Sequence, residues 1–254
     1  MNLYYALCFF VLGTILGSFY NVVGYRIPKG ESIVSPPSHC PNCNHRLKFW
    51  ELLPILSFIF QRGKCTSCKQ KISLFYPIFE SSCGLVFALA YLSFGFSWEL
   101  LIALTFISML IIVMVSDYIY MVIPDEILLF FGIILSVEIL FIHGYQDLLI
   151  SLGNGCIACL FIYFLKMVGD LLFKKESMGG GDIKLLFIFG LVLGWQLSVF
   201  SIFLASVIGL PLSIIILYKS KDHIIPFGPF LSIGTMIILL TRIDLNWLLN
   251  LLIK

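Results

Sequence analysis

Apolar residues run along this chain in long stretches separated by short polar breaks. Eight stretches stand out, at about 3–23, 75–95, 98–117, 125–143, 147–168, 182–194, 196–218 and 226–241. A helix needs roughly 20 apolar residues to cross about 30 Å of hydrocarbon, so the pattern predicts spanning helices. The stretch at 182–194 is short for this role, and the tail 243–253 reads as an interfacial helix. One long polar interval, 24–74, breaks the series. The expected fold class is all-α: a polytopic membrane helix bundle of about eight spans. It divides into a first transmembrane span at 1–23, a loop at 24–74 and a multi-span domain at 75–254. No internal repeat is evident. The opening segment MNLYYALCFFVLGTILGSFYNVV has no basic n-region and no small-residue cleavage site, so it is expected to stay as a span.

Composition supports the membrane reading. Of 254 residues, 60% are hydrophobic and 12% charged, whereas soluble chains sit near half apolar and a quarter charged. That excludes a disordered chain, a nucleic-acid binder with a basic face and a soluble enzyme. The net charge of +2 decides little, but its placement decides orientation. Eight cations fall in 24–74: Arg26, Lys29, Arg46, Lys48, Arg62, Lys64, Lys69 and Lys71. Loops on the same side add Lys166, Lys174, Lys175, Lys184, Lys219 and Lys221, while the opposite side keeps only Arg242 and Lys254. The loop 24–74 is therefore expected to be cytoplasmic and both termini outside. Dropping the span at 182–194 would move Lys219 and Lys221 outside and weaken the bias.

Four of the eight cysteines, Cys40, Cys43, Cys65 and Cys68, form two CxxC pairs separated by 21 residues within this loop. Each pair presents two thiolates to one metal, and four thiolates satisfy tetrahedral zinc in a zinc-ribbon-like module. A reduced cytoplasm leaves the thiols free for metal. The competing reading is a pair of redox dithiols, which lacks a surrounding thioredoxin-like βαβ pattern. His39 and His45 flank the first pair as substitute ligands or as plain loop histidines. Cys156 and Cys159 form a third CxxC inside an apolar helix, where they are expected to be small packing residues.

Ionisable residues in or beside spans are costly and ask for a reason. Asp117 ends the third stretch, Asp125 opens the fourth and Asp182 opens the sixth, all at the cytoplasmic side of the expected topology. Asp117 and Asp182 are 65 positions apart in sequence (182 − 117). Two facing carboxylates can share one proton, leaving one to deprotonate water and the other to polarise a peptide carbonyl. Gly179, Gly180 and Gly181 precede Asp182 and would let a peptide backbone approach closely. Plainer readings stand beside this one. Asp125 follows Pro124 at a helix start, where an acid suits the dipole, and Asp182 could be a cap. Asp117 lies at a helix C-terminal end, where the dipole disfavours an acid.

These motifs resemble the type IV prepilin leader peptidases, polytopic aspartic peptidases with a G-x-G-D motif. The similarity runs through GSFYNVVGYRIP at 17–28, the paired CxxC loop leading to YPIFE at 76–80 and SDYIYMVIPDE at 116–126, then MGGGDIKLL at 178–186 and PFGPFL at 226–231. The resemblance implies that Asp117 and Asp182 are the catalytic pair, supported by Asp125 and Gly179–Gly181. It makes 75–254 the peptidase domain and Cys40, Cys43, Cys65 and Cys68 the zinc ligands. It implies a membrane-embedded endopeptidase cutting short basic leaders from prepilins and pilin-like pseudopilins at the cytoplasmic face. Many members of the family also methylate the new N-terminal amine with S-adenosylmethionine. Its members serve pilus assembly, type II secretion and competence for DNA uptake. The partners implied are these substrates and the bilayer, with no nucleic acid bound. Tyr20, Gly24 and Glu51 depart from the family pattern without touching the aspartates. No glycine-rich nucleotide fingerprint is present, so methylation rests on the resemblance alone.

Three other readings compete. A membrane-bound zinc-ribbon scaffold with no activity would explain the cysteines but leave Asp117 and Asp182 unexplained. A multi-span metal or proton transporter should hold acids near the bilayer midplane, and Glu138 is the single deep acid of that kind. A membrane thiol oxidoreductase would use the CxxC pairs on the outer side. The eight cations of 24–74, against Glu31 and Glu51, are expected to face anionic headgroups. Asp125, Glu126 and Glu176 would then receive the cations of a basic leader.

Overall fold

The computed structural model describes residues 2–174, 178–219 and 226–243. Lys175, Glu176, Lys221, Lys254 and the tail beyond Ile243 lie outside them. The described residues are helical, with two isolated antiparallel bridges and no longer strand. The helices are α1 (Asn2–Arg26), α2 (Leu56–Phe60), α3 (Phe75–Phe94), α4 (Trp98–Tyr120), α5 (Asp125–Ile142), α6 (Tyr145–Phe173), α7 (Gly180–Leu193), α8 (Trp195–Lys219) and α9 (Gly228–Thr241). Each of the eight apolar stretches is a helix. By length and composition α1, α3, α4 and α6 can each cross a membrane. Three acids in its 18 residues, Asp125, Glu126 and Glu138, set α5 apart from these four. At 14 residues each, α7 and α9 are about 21 Å long. In contrast α6 has 29 residues and is about 43 Å long, more than a bilayer core needs.

The chain forms two compact units, Met1–Phe96 and Ser97–Lys254. In the first, α1 packs along α3. Small residues permit the close crossing, as is usual between helices in lipid. A Cβ on Gly13 would lie 2.7 Å from the Phe87 Cβ, and one on Gly84 would lie 2.8 Å from the Phe10 carbonyl oxygen. Toward the end distant from the cysteine loop, Tyr5, Phe9, Tyr91 and Phe96 stack edge and face. Cys83 is buried at the α1–α3 contact.

In the second unit α4 is largely buried, with Phe106, Ile107, Met109, Leu110 and Val113 fully enclosed. It is flanked by α5 and α9, while α7 packs against α5, α6 and α8. The α6–α7 crossing is held close by Gly155 and Gly190, where a Cβ on Gly190 would meet the Asn154 carbonyl at 2.7 Å. Cys156 sits on the exposed face of α6, so it is no packing residue as the sequence suggested, although Cys159 is half-buried. The helix turns away from the contact because Gly155 and Ala158 supply its buried side.

Candidate functional site

Asp117 occupies the last turn of α4 and is buried. Two bonds shape the chain that follows. The Met121 N–H closes on the Asp117 carbonyl at 2.9 Å, with Met121 in a left-handed conformation (φ 55°). The buried Ser116 hydroxyl donates to the Val122 carbonyl at 2.6 Å. Together they turn the chain sharply from α4 into α5. The Asp117 side chain meets the start of α9, where the Gly228 N–H donates to Oδ2 at 2.8 Å. A helix N-terminus offers free N–H groups and a favourable dipole to an anion. Glycine lets the carboxylate come this close, because a Cβ on residue 228 would lie 2.7 Å from that same oxygen and push it away.

Asp182 lies in the first turn of α7, three residues after the N-cap Gly179. Its carboxylate is hydrogen-bonded to the Gly179 backbone, which is half of a capping box. Asp182 is thus not the N-cap residue that its sequence position allowed; the cap is Gly179, and Asp182 answers it from the third helical position through this bond. The bond also fixes where the carboxylate points.

The three glycines before Asp182 have separate reasons. A Cβ on Gly181 would press on Ile123 at 3.0 Å, and one on Gly179 would lie 3.3 Å from Asp182 Oδ2. A Cβ on Gly180 would meet nothing within 4 Å, leaving open space beside the acid.

Asp125 is exposed and already has a cation. Lys184 of α7 reaches both carboxylate oxygens, at 2.7 and 2.8 Å. The pair ties the start of α5 to the helix that carries Asp182. Both partners are more than half exposed, so the pair is worth about 0–1 kcal/mol. Glu126 is exposed, and Glu176 lies outside the described residues.

Sequence reasoning missed the Gly228 and Lys184 contacts. Gly228 was visible only as part of PFGPFL, and Lys184 only as a cation of the topology count. Deeper in the unit, Thr105 donates to Glu138 Oε1 at 2.7 Å between α4 and α5.

In the first unit the four cysteine Sγ atoms lie within 4.8 Å of one another. Cys40 to Cys68 and Cys43 to Cys65 are each 3.9 Å. Four thiolates about 2.3 Å from one tetrahedral ion would be about 3.8 Å apart, so the cluster fits such an ion. Both 3.9 Å contacts run between the two motifs, not within a CxxC as in a redox dithiol. The two knuckles are built alike. The Asn44 N–H donates to the Cys40 carbonyl and the Lys69 N–H to that of Cys65. Asn44 and Lys69 both have positive φ, and the bridges His39–Arg46 and Lys64–Lys71 flank the knuckles equivalently. This is a local repeat at an offset of 25 residues (65 − 40), of which the side chains revealed only the two CxxC pairs.

Neither histidine joins the cluster. His39 contacts the Pro37 carbonyl and His45 contacts Glu51. Glu51 binds the module together, accepting from the Lys48 N–H at 2.7 Å, from the Thr66 hydroxyl and from His45. The Lys48 N–H, then the Thr66 hydroxyl and His45, hold its carboxyl below the usual value of 4.5 against the opposing effect of burial.

Residues 11–94 match the bacterial peptidase A24 N-terminal domain, and residues 103–214 match the type IV leader peptidase family. A protein of Bacillus subtilis named prepilin leader peptidase/N-methyltransferase is 38% identical over 90% of this chain and 91% of its own length. Proteins of the same name from Stutzerimonas stutzeri and Pseudomonas aeruginosa are 34% and 32% identical, each over 93% of this chain and 90% of their own length. No solved structure matches the chain.

Proposed function

The chain belongs to the type IV leader peptidase family, and from that premise we propose that it is a membrane-embedded aspartic endopeptidase. Its substrates are type IV prepilins or pilin-like pseudopilins, whose short basic leaders it removes at the cytoplasmic membrane face. Asp117 and Asp182 are the catalytic pair, and Asp125, Gly179, Gly180 and Gly181 support them. The observation that carries this reading is that Asp117 and Asp182, 65 positions apart in sequence, each have the carboxylate held by a backbone group at a helix N-terminus, with Gly181 at the start of α7 packed against Ile123 in the turn that follows Asp117.

The chemistry follows from two acids sharing one proton. The ionised carboxylate takes a proton from water as the water oxygen attacks the scissile carbonyl carbon. The protonated partner donates to the carbonyl oxygen as it gains negative charge. When the tetrahedral intermediate collapses, the C–N bond breaks, the leaving amine takes a proton from the carboxyl that deprotonated the water, and a hydroxyl of the intermediate returns its proton to the partner carboxylate, restoring the pair with one shared proton. Fixed geometry matters as much as acidity, because a positioned pair has no search left to make. The Gly228 and Gly179 contacts supply that fixation, and the space beside Gly180 admits an extended backbone. Leader and apolar helix of the substrate straddle the membrane surface, so the bilayer itself sets the depth of the cut.

Cys40, Cys43, Cys65 and Cys68 hold zinc. A closed thiolate set gives the ion a structural part, cross-linking the loop 24–74. The second activity named in the relatives, N-methylation, is proposed here with S-adenosylmethionine as methyl donor. Among the described residues no glycine-rich strand-to-helix turn offers a nucleotide cradle, so that donor rests on the relatives' names. The apolar helices α1 and α3–α9 cross the membrane eight times, with the cysteine loop cytoplasmic. The cation bias supports this orientation.

The test is co-expression with a candidate prepilin followed by mass spectrometry of the product N-terminus. A truncated product beginning at the mature residue supports the peptidase, and an added methyl group supports the second activity. An intact prepilin beside correctly inserted enzyme would contradict the proposal.

A further inference from the structure

We propose that the segment between the two cysteine knuckles is a membrane-docking wedge, which seats an aromatic and aliphatic surface in the headgroup region of the bilayer that the chain spans. The segment 49–60 turns its apolar residues outward. Phe49, Trp50 and Phe60 are 70%, 71% and 79% exposed, and Leu56 and Ile59 join Phe60 on one side of α2. They sit at helical positions i, i+3 and i+4, which share a face. The one acid of the segment points the other way, since Glu51 is enclosed by Lys48, Thr66 and His45. This reverses the usual arrangement of a small module in water, where the acid would be outside and the aromatics inside.

The position of the wedge identifies what covers it. The Ile55 N–H donates to Glu80 Oε2 at 2.9 Å, and the Ser18 hydroxyl also hydrogen-bonds Glu80. Glu80 is buried on α3, five residues (80 − 75) after that helix begins at Phe75. Five residues of helix rise about 7.5 Å. The middle of the wedge is therefore tied to a point inside a span-length helix and cannot float free in solvent. Ile55 adopts φ 61°, an unusual conformation for a β-branched residue, to make this bond. Exposed Lys48, Arg62 and Lys64 border the apolar surface. Aromatic residues beside Lys and Arg are the composition of the interfacial belt, and the cations complement anionic headgroups. The occupant to which this commits is a lipid surface.

The inference stands apart from the peptidase reading, and its test uses no activity measurement. In the full chain, replacing Trp98, Trp195 and Trp247 by Phe leaves Trp50 as the sole tryptophan. This variant would be placed in nanodiscs of zwitterionic lipid with a fraction of phosphatidylglycerol. The tryptophan emission would then be tested against lipids brominated near the glycerol backbone and against acrylamide in water. Quenching by the brominated lipid with protection from acrylamide is the expected result. It should weaken when phosphatidylglycerol is omitted, and weaken again in a Glu80→Ala version that releases Ile55. Quenching by acrylamide alone would place Trp50 in water and overturn the proposal. Protection from both quenchers would place Trp50 against protein and overturn it equally.

Discussion

Gly228→Ala adds one methyl group against a catalytic carboxylate and tests the site more sharply than removing an acid. The new Cβ would start 2.7 Å from Asp117 Oδ2 and 2.9 Å from its Cγ, so the side chain must retreat about 0.7 Å to reach ordinary contact near 3.4 Å. That retreat spoils the 2.8 Å bond from the Gly228 N–H. A hydrogen bond to a charged group contributes about 1.5–3 kcal/mol, so its loss corresponds to roughly 10- to 150-fold in rate. A misplacement of about 1 Å at a reacting group is expected to cost a similar factor. Stability should move little. Alanine gains about 1 kcal/mol of helix propensity over glycine, which offsets an overlap costing about 1–3 kcal/mol. The assay is prepilin cleavage by purified enzyme, with kcat and KM separated and melting followed in parallel. The expected outcome is a 10- to 150-fold fall in kcat with KM nearly unchanged and the protein folded. Gly153→Ala is the control, because its Cβ would meet nothing within 4 Å and it lies on α6, which carries neither acid. A folded Gly228→Ala enzyme with wild-type kcat would refute the assigned contact between α9 and the catalytic acid.

Changing any one of Cys40, Cys43, Cys65 or Cys68 to Ser should lower zinc content from about one ion per chain, measured by metal analysis of purified protein; wild-type protein free of zinc would contradict the assignment. Lys184→Met should cost at most about 1 kcal/mol in melting stability, because both partners of its ion pair are exposed, and a much larger loss would mean that Asp125 needs its cation. Glu126→Lys should raise KM for a leader with several lysines more than it lowers kcat, and equal KM for basic and neutral leaders in wild type would remove the reason.

The helices were legible in the sequence because each apolar run is long and bounded by polar or glycine residues. The helix α6 runs past its expected end at 168 to Phe173. Lys166 and Asp170 stopped the apolar pattern there without stopping the helix. The acids were legible one by one, because a carboxylate beside a span is conspicuous. Their partners were not. Gly228 meets Asp117 across 111 positions and Lys184 meets Asp125 across 59, and neither pairing leaves a local periodicity. The repeat of the two knuckles beyond their CxxC pairs was hidden for a different reason. It lies in backbone bonds and positive φ at Asn44 and Lys69, residues with no chemical likeness. The outward apolar face of 49–60 could not be read either, since FWELLPILSFIF gives no sign of which side Glu51 and Glu80 would capture.

The central claim is that Asp117 and Asp182 act together on a prepilin. Its most direct measurement is the N-terminal mass of one prepilin co-expressed with wild type, with Asp117→Asn and with Asp182→Asn, at matched membrane levels of enzyme. An amide occupies the space of the carboxylate but takes no proton from water. The account predicts a shortened prepilin with wild type and the full-length mass with each variant. Near wild-type cleavage by either variant would contradict it.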